Sequence, residues 1–299
     1  MESFVLIGVF VFLGRVFRRL KAFPPDTPQV LNMFALYVSL PALILLKVPH
    51  LSFSRDLLVA AATPWALLVF SVVLVLAAAR IGGWPRPVVG VLLLVVPLGN
   101  TSFMGVPMIQ AFFGEAGLPY LIIYDQFGTL LIFAIHGSLI LAMFGQEGSL
   151  KLVSVARKVL LFPPTLALLA GFALRPWWTY PEALVSALQS ISAPLIPLVM
   201  TAVGYQLRWR LPRRVLAPLG FGLGVKLLLA PLAALLVFRL TGMEGLAVEV
   251  SVLEAGMPPM VTAGALAVAA GLAPELAVAL VGLGIILAFA TLPLLYLLL

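Results

Sequence analysis

Charge is absent from long stretches of this chain: none occurs at 57–79, 88–113, 183–207 or 276–299. A helix rises about 1.5 Å per residue, so about 20 such residues match the roughly 30 Å hydrocarbon layer of a bilayer. Of the 299 residues, 63% are hydrophobic and only 10% are charged, and the mean hydropathy is +1.18. Soluble domains carry roughly a quarter charged residues. The chain therefore reads as an all-α integral membrane protein whose solvent is the lipid bilayer.

Apolar runs bounded by charge or turn residues predict ten transmembrane helices, at 3–20, 28–48, 56–79, 88–113, 118–144, 158–175, 182–206, 214–239, 246–270 and 274–298. The first run lacks a basic start and a small-residue cleavage site, and reads as a span rather than a removed signal. Residues 1–145 form a first five-helix unit, 146–157 a cytoplasmic linker and 158–299 a second five-helix unit. Lys and Arg cluster in alternate loops, at 15–21, 80–86, 151–158 and 208–214. The opposite loops hold only Lys47, Arg55, Arg175 and Arg239. The positive-inside rule makes the richer set cytoplasmic and puts both termini outside the cell membrane. The net charge of +7 is thus explained by loop placement, and no nucleic-acid partner is expected. With no cysteine, a disulfide framework and cysteine-held metals are excluded.

Two spans carry unusual centres. Residues 99–107 read Gly-Asn-Thr-Ser-Phe-Met-Gly-Val-Pro, and residues 254–259 read Glu-Ala-Gly-Met-Pro-Pro. Glycine and proline weaken helical hydrogen bonding, and freed backbone groups survive in hydrocarbon only inside protein or beside a wet cavity. Gly105-Val106-Pro107 matches Gly256-Met257-Pro258, and Pro41 and Pro119 find counterparts in Pro197 and Pro274. A five-helix unit repeated once must insert its second copy inverted, and paired broken helices at corresponding places point to a transporter's binding site. Kinking for helix packing alone is the plainer reading of each break taken singly.

The run Asn100 to Gly114, with Asn100-Thr101, Met104-Gly105-Val106-Pro107 and the closing Phe113-Gly114, resembles the fourth-helix motif of the auxin efflux carrier family. That family includes the plant PIN proteins and bacterial homologues. Leu31 to Phe34 with Leu40-Pro41 resembles the family's second helix, and Met257-Pro258, Pro274 and Leu292-Pro293 resemble its ninth and tenth. The resemblance implies two inverted five-helix repeats with broken, crossing fourth and ninth helices. It also implies a scaffold of spans 1, 2, 6 and 7 beside a moving transport domain, often paired as a homodimer through the scaffold. Substrates in the family are organic anions such as carboxylates. The Glu254-Ala255-Gly256-Met257 stretch looks more like the related bile acid:sodium symporters, although Pro258-Pro259 replaces their polar pair.

The candidate substrate-binding residues are Asn100, Thr101, Gly105, Pro107, Met257 and Pro258; the Asn100 amide can donate to an anion without the desolvation cost of a full charge. Ion coupling falls to Glu254, Asp125, Thr129 and Gln126, because a carboxylate at mid-membrane must face a cavity, pair or bind an ion. Asp125 and Thr129 share one face at i, i+4. The coupling ion is a proton or sodium, with Glu254, Ser102 and Thr129 as the sodium ligands; no other cofactor is expected. Lys226 can neutralise a substrate anion, pair with Glu254 or Asp125, or snorkel to the cytoplasmic surface, and His136 reads as a polar helix contact. An intramembrane aspartyl enzyme lacks its second aspartate, since Asp26 and Asp56 lie at span edges, and neither HExxH nor GxSG occurs. The reading is a secondary active transporter of small organic anions, auxin-like or dicarboxylate, that works by alternating access, elevator-type and cation-coupled. A sodium-coupled bile-acid-like symporter is the alternative.

Overall fold

The computed structural model describes residues 2–50, 55–145, 161–174, 180–206 and 215–299. The 146–157 linker lies outside the described residues, as do the basic clusters at 151–158 and 208–214 and Arg175. Every regular element among the described residues is helical. Helix α1 spans Glu2–Phe17, α2 Thr27–Lys47, α3 Arg55–Gly82, α4 Arg86–Val95, α5 Gly105–Phe113 and α6 118–144. Then follow α7 Pro163–Leu174, α8 Glu182–Gln206, α9 Leu216–Thr241, α10 Leu246–Ala255, α11 Val261–Ala269 and α12 Pro274–Tyr296. Six stretches among the described residues are long and apolar enough to cross a membrane: α2, α3, α5 with α6, α8, α9 and α12. Two expected spans are each divided, 88–113 between α4 and α5 and 246–270 between α10 and α11.

Proline explains much of this segmentation. Pro28, Pro87, Pro119, Pro163 and Pro274 all sit in first turns, where the missing N–H would be unbonded anyway. Inside a helix the ring displaces the carbonyl four residues back. Pro41 and Pro231 each follow a wider π-turn, at Ala35–Ser39 and Val225–Leu229, which absorbs that displacement without ending the helix.

The helices pack in two groups. In one, α1 lies along the Leu195–Gln206 half of α8, and the end of α2 packs on α7 and on the first half of α8. A Cβ on Gly14 would meet the Thr201 carbonyl at 2.0 Å, and one on Gly204 would meet the Val11 carbonyl at 2.0 Å. The α1 and α8 backbones therefore touch, an approach that small residues alone allow. In the other group α3 packs on α4, α6 and α10, α11 packs on α4 and α12, and α9 packs on α10 and α12. The two interrupted spans lie inside this second group, where Leu92, Leu94, Val250, Val252 and Leu253 are buried.

Candidate functional site

Helix α4 stops at Val95 because Pro97 follows, and α10 stops at Ala255 because Pro258 and Pro259 follow. A proline four residues on cannot donate to the waiting carbonyl. The Leu93 carbonyl, deprived by Pro97, accepts instead from His136 Nε2 at 2.9 Å. The Ala255 carbonyl, deprived by Pro259, accepts from Lys226 Nζ at 3.0 Å. Beyond these ends the chain is extended, and the two extended pieces pair antiparallel, Gly99 opposite Pro259. Asn100 N–H donates to the Pro258 carbonyl at 2.7 Å and Met260 N–H donates to the Leu98 carbonyl at 3.0 Å. Each interruption thus satisfies the other's backbone.

The first interruption begins earlier than the sequence suggested. It runs over 96–104, so Val96-Pro97-Leu98-Gly99 stands where Gly256-Met257-Pro258-Pro259 stands in the second. Gly105-Val106-Pro107, matched to Gly256-Met257-Pro258 on sequence, forms the first turn of α5 instead. The physical reason is that Pro107 falls among the first helical residues, whose N–H groups have no intrahelical partner. The Asn100 main-chain carbonyl starts this turn, accepting from Met104 N–H and Gly105 N–H at 3.1 Å each.

A cavity of about 420 Å³ opens beside the crossing. Asn100, Thr101 and Ser102 line it from the interruption, Asp125, Thr129 and Ser138 from α6, and Met260 and Thr262 from the start of α11. Its apolar wall includes Tyr37, Phe103, Phe133 and Phe162, with Tyr37 and Phe162 edge to face at 5.9 Å. Asn100 is 3% exposed and its Nδ2 has no hydrogen-bond partner. A buried amide with an unused donor is costly, and here the donor belongs to a cavity-lining residue. Gly105, Pro107, Met257 and Pro258 are buried behind this surface and do not line it. A second cavity, of about 800 Å³, is lined by Lys47 of α2, Gln110 of α5, Glu115 and Gln189 of α8. Helix α2 gives Leu36 and Tyr37 to the first cavity and Leu43, Leu46 and Lys47 to the second, about 10 Å further along its axis. No residue of either interruption lines the second cavity. Lys47 Nζ donates to Glu115 Oε2 at 2.7 Å across the second.

The charged residues divide sharply. Asp125, in the π-turn Tyr124–Leu130 of α6, is fully engaged. Its Oδ1 accepts from the hydroxyls of Thr101 and Ser102, and its Oδ2 accepts from Gln126 Nε2 at 2.8 Å. Glu254 is 0% exposed, and neither carboxylate oxygen has a partner. It is packed against the Gly105 backbone, where a Cβ would meet Oε1 at 2.5 Å, and it lies close enough to Asp125 and Lys226 to feel both charges. Of the expected sodium ligands, Ser102 and Thr129 line the cavity, Ser102 donating to Asp125, and Glu254 is buried against Gly105. Lys226 is 4% exposed. The surface position allowed for it on sequence does not occur, because its ammonium is taken up by the Ala255 carbonyl that Pro259 leaves without a main-chain donor.

The aromatic wall of Tyr37, Phe133 and Phe162 and the thin backbone pairing at Gly99 and Pro259 were not singled out on sequence. Aromatic residues among lipid-facing ones carry no signal of their own; Pro97, four residues after Leu93, was the available sign that the interruption starts early.

Comparison with known proteins gives the chemistry a family. A family model described as membrane transport protein matches residues 1–296. An uncharacterized transporter of Methanothermobacter thermautotrophicus is 28% identical over 295 residues, covering 98% of this chain and 96% of its own. An uncharacterized transporter of Methanocaldococcus jannaschii is 26% identical over 271 residues, covering 85% of this chain and 82% of its own. Transport rather than enzymatic turnover is what these relatives are named for, and a multi-pass membrane location follows from the helices and the family together. The chain belongs to the membrane transport protein family, that of the auxin efflux carriers which its Asn100–Gly114 motif resembles.

Proposed function

We propose that this protein is a secondary carrier of small organic anions, working by alternating access across the cell membrane with both termini outside. The observation that carries the reading is the unused Asn100 amide donor at a paired double interruption beside a cavity. An anion there would meet that donor and the N-terminal end of α11, where helix dipoles favour negative charge. Apolar walls would hold its body. The packing of α1 on α8 and of α2 on α7 supports two inverted five-helix repeats, ten spans in all, because exchanging halves converts one contact into the other. In this reading α1, α2, α7 and α8 are the scaffold, which also joins two copies, and the remaining helices move against it. The partnerless Glu254 carboxylate supports coupling to a cation, proton or sodium, since an isolated buried charge is too costly to leave unbalanced.

Counterflow in proteoliposomes tests the reading, with auxin-like monocarboxylates and dicarboxylates as labelled probes. Unlabelled substrate inside should drive uptake of label, which a channel does not do. Asn100→Ala should raise the half-saturating concentration roughly tenfold or more, as expected for a lost hydrogen bond to a charged group. Unchanged affinity in a folded variant would remove Asn100 from the site.

A further inference from the structure

Lys226 is the buried cation of the crossing, and its surroundings say more than its hydrogen bond does. Pro231 follows the π-turn Val225–Leu229 of α9, and Lys226 lies within that turn. Its ammonium reaches the last carbonyl of α10, at Ala255, and would stand 3.1 Å from a Cβ on Gly99. The C-terminal end of a half-helix carries the negative pole of the dipole. In broken-helix carriers such ends and their unwound carbonyls are where small cations bind. The Glu254 carboxylate adds negative charge nearby, and Asp125 lies beside Glu254 in turn.

A missing N–H at Pro259 would be made good by any donor, and a neutral side chain would do so without a buried charge. An ammonium is the costlier choice unless its charge is wanted. We propose that Lys226 is a tethered monovalent cation: its ammonium fills, from within the chain, a cation position between the α10 C-terminus and Gly99, which a free monovalent cation would occupy in its absence. The Glu254 and Asp125 carboxylates thus have one permanent positive charge beside them, at Glu254, and any mobile cation has a single negative charge left to balance. Lys226 plays this part in the resting protein, whatever substrate the cavity takes.

Thermal unfolding of the purified full chain in detergent tests it, at equal ionic strength in sodium chloride, methylammonium chloride or the bulky N-methyl-D-glucamine chloride. Lys226→Ala should melt about 5 °C or more below the parent in the bulky salt, and sodium or methylammonium should recover at least about half of that loss. The parent and Lys226→Arg should show no comparable recovery. Lys226→Gln keeps a donor for Ala255 but no charge, and should melt well below the parent in the bulky salt. A Lys226→Ala loss equal in all three salts overturns the proposal. So does Lys226→Gln melting with the parent, which would reduce Lys226 to a substitute for the missing N–H and can be read even if Lys226→Ala fails to fold. Substrate affinity measured on the same samples is a separate readout, so failure of the anion reading would not resemble failure of this one.

Discussion

At Gly105 a methyl group would come within 2.5 Å of one Glu254 oxygen and 3.0 Å of the other. Gly105→Ala should therefore displace the Glu254 carboxylate and cost about 1–3 kcal/mol of stability, the range for overpacking a tight site. Adding Glu254→Ala should recover most of that loss if the clash is the cause, and equal melting temperatures for the single and double variants would argue against it. Legibility at this scale followed chemical type. Asn100, Thr101 and Asp125 stood out because polar groups are rare in apolar runs, and the structure gathers all three at one cavity wall. Lys226 stood out equally, yet its direction was hidden, because a four-carbon stem reaches the surface as readily as a neighbouring helix. Tyr37 and Phe162 gave no sign at all, since lipid and a cavity wall ask for the same kind of side chain.

Among the elements, α1 and the second half of α8 approach until their backbones touch. Gly14→Leu or Gly204→Leu would drive a side chain into a facing backbone, with no flexible group to yield. Each should lower the yield of folded protein sharply, whereas Gly8→Leu on the same helix, with open space at its Cβ, should be tolerated; size-exclusion profiles of the three would check this. The all-helical class and the interruptions were legible from long uncharged runs and from glycine and proline. Their limits were not. Pro107 looks like a breaker on sequence but is welcome in the first turn of α5, while Pro97, which does end α4, drew no notice in a run so apolar. The π-turns at 35–39 and 225–229 also escaped, because a proline inside a run reads simply as a kink.

For the whole molecule, alternating access as proposed would open the two cavities described above in turn, and the Lys47–Glu115 pair ties the α2 group to the α5–α6 connection. Because the chain has no cysteine, single probes can report each cavity without background. Glu115→Gln should raise maleimide labelling of Gln189→Cys in the larger cavity by no more than about fivefold, since an exposed pair contributes about 0.2–1 kcal/mol. In the same background, labelling of Ser138→Cys in the smaller cavity should fall. Both sites changing in the same direction would contradict alternating access. The hydrogen bonds joining Leu98 and Asn100 to Met260 and Pro258 also bear on how the chain is made. When the ribosome has delivered the first half, two main-chain groups of the first interruption still await partners that are translated some hundred and sixty residues later. A nascent chain stopped before Pro258 should thus stay bound to the insertion machinery or be degraded, so biogenesis is committed only when the stretch between α10 and α11 arrives.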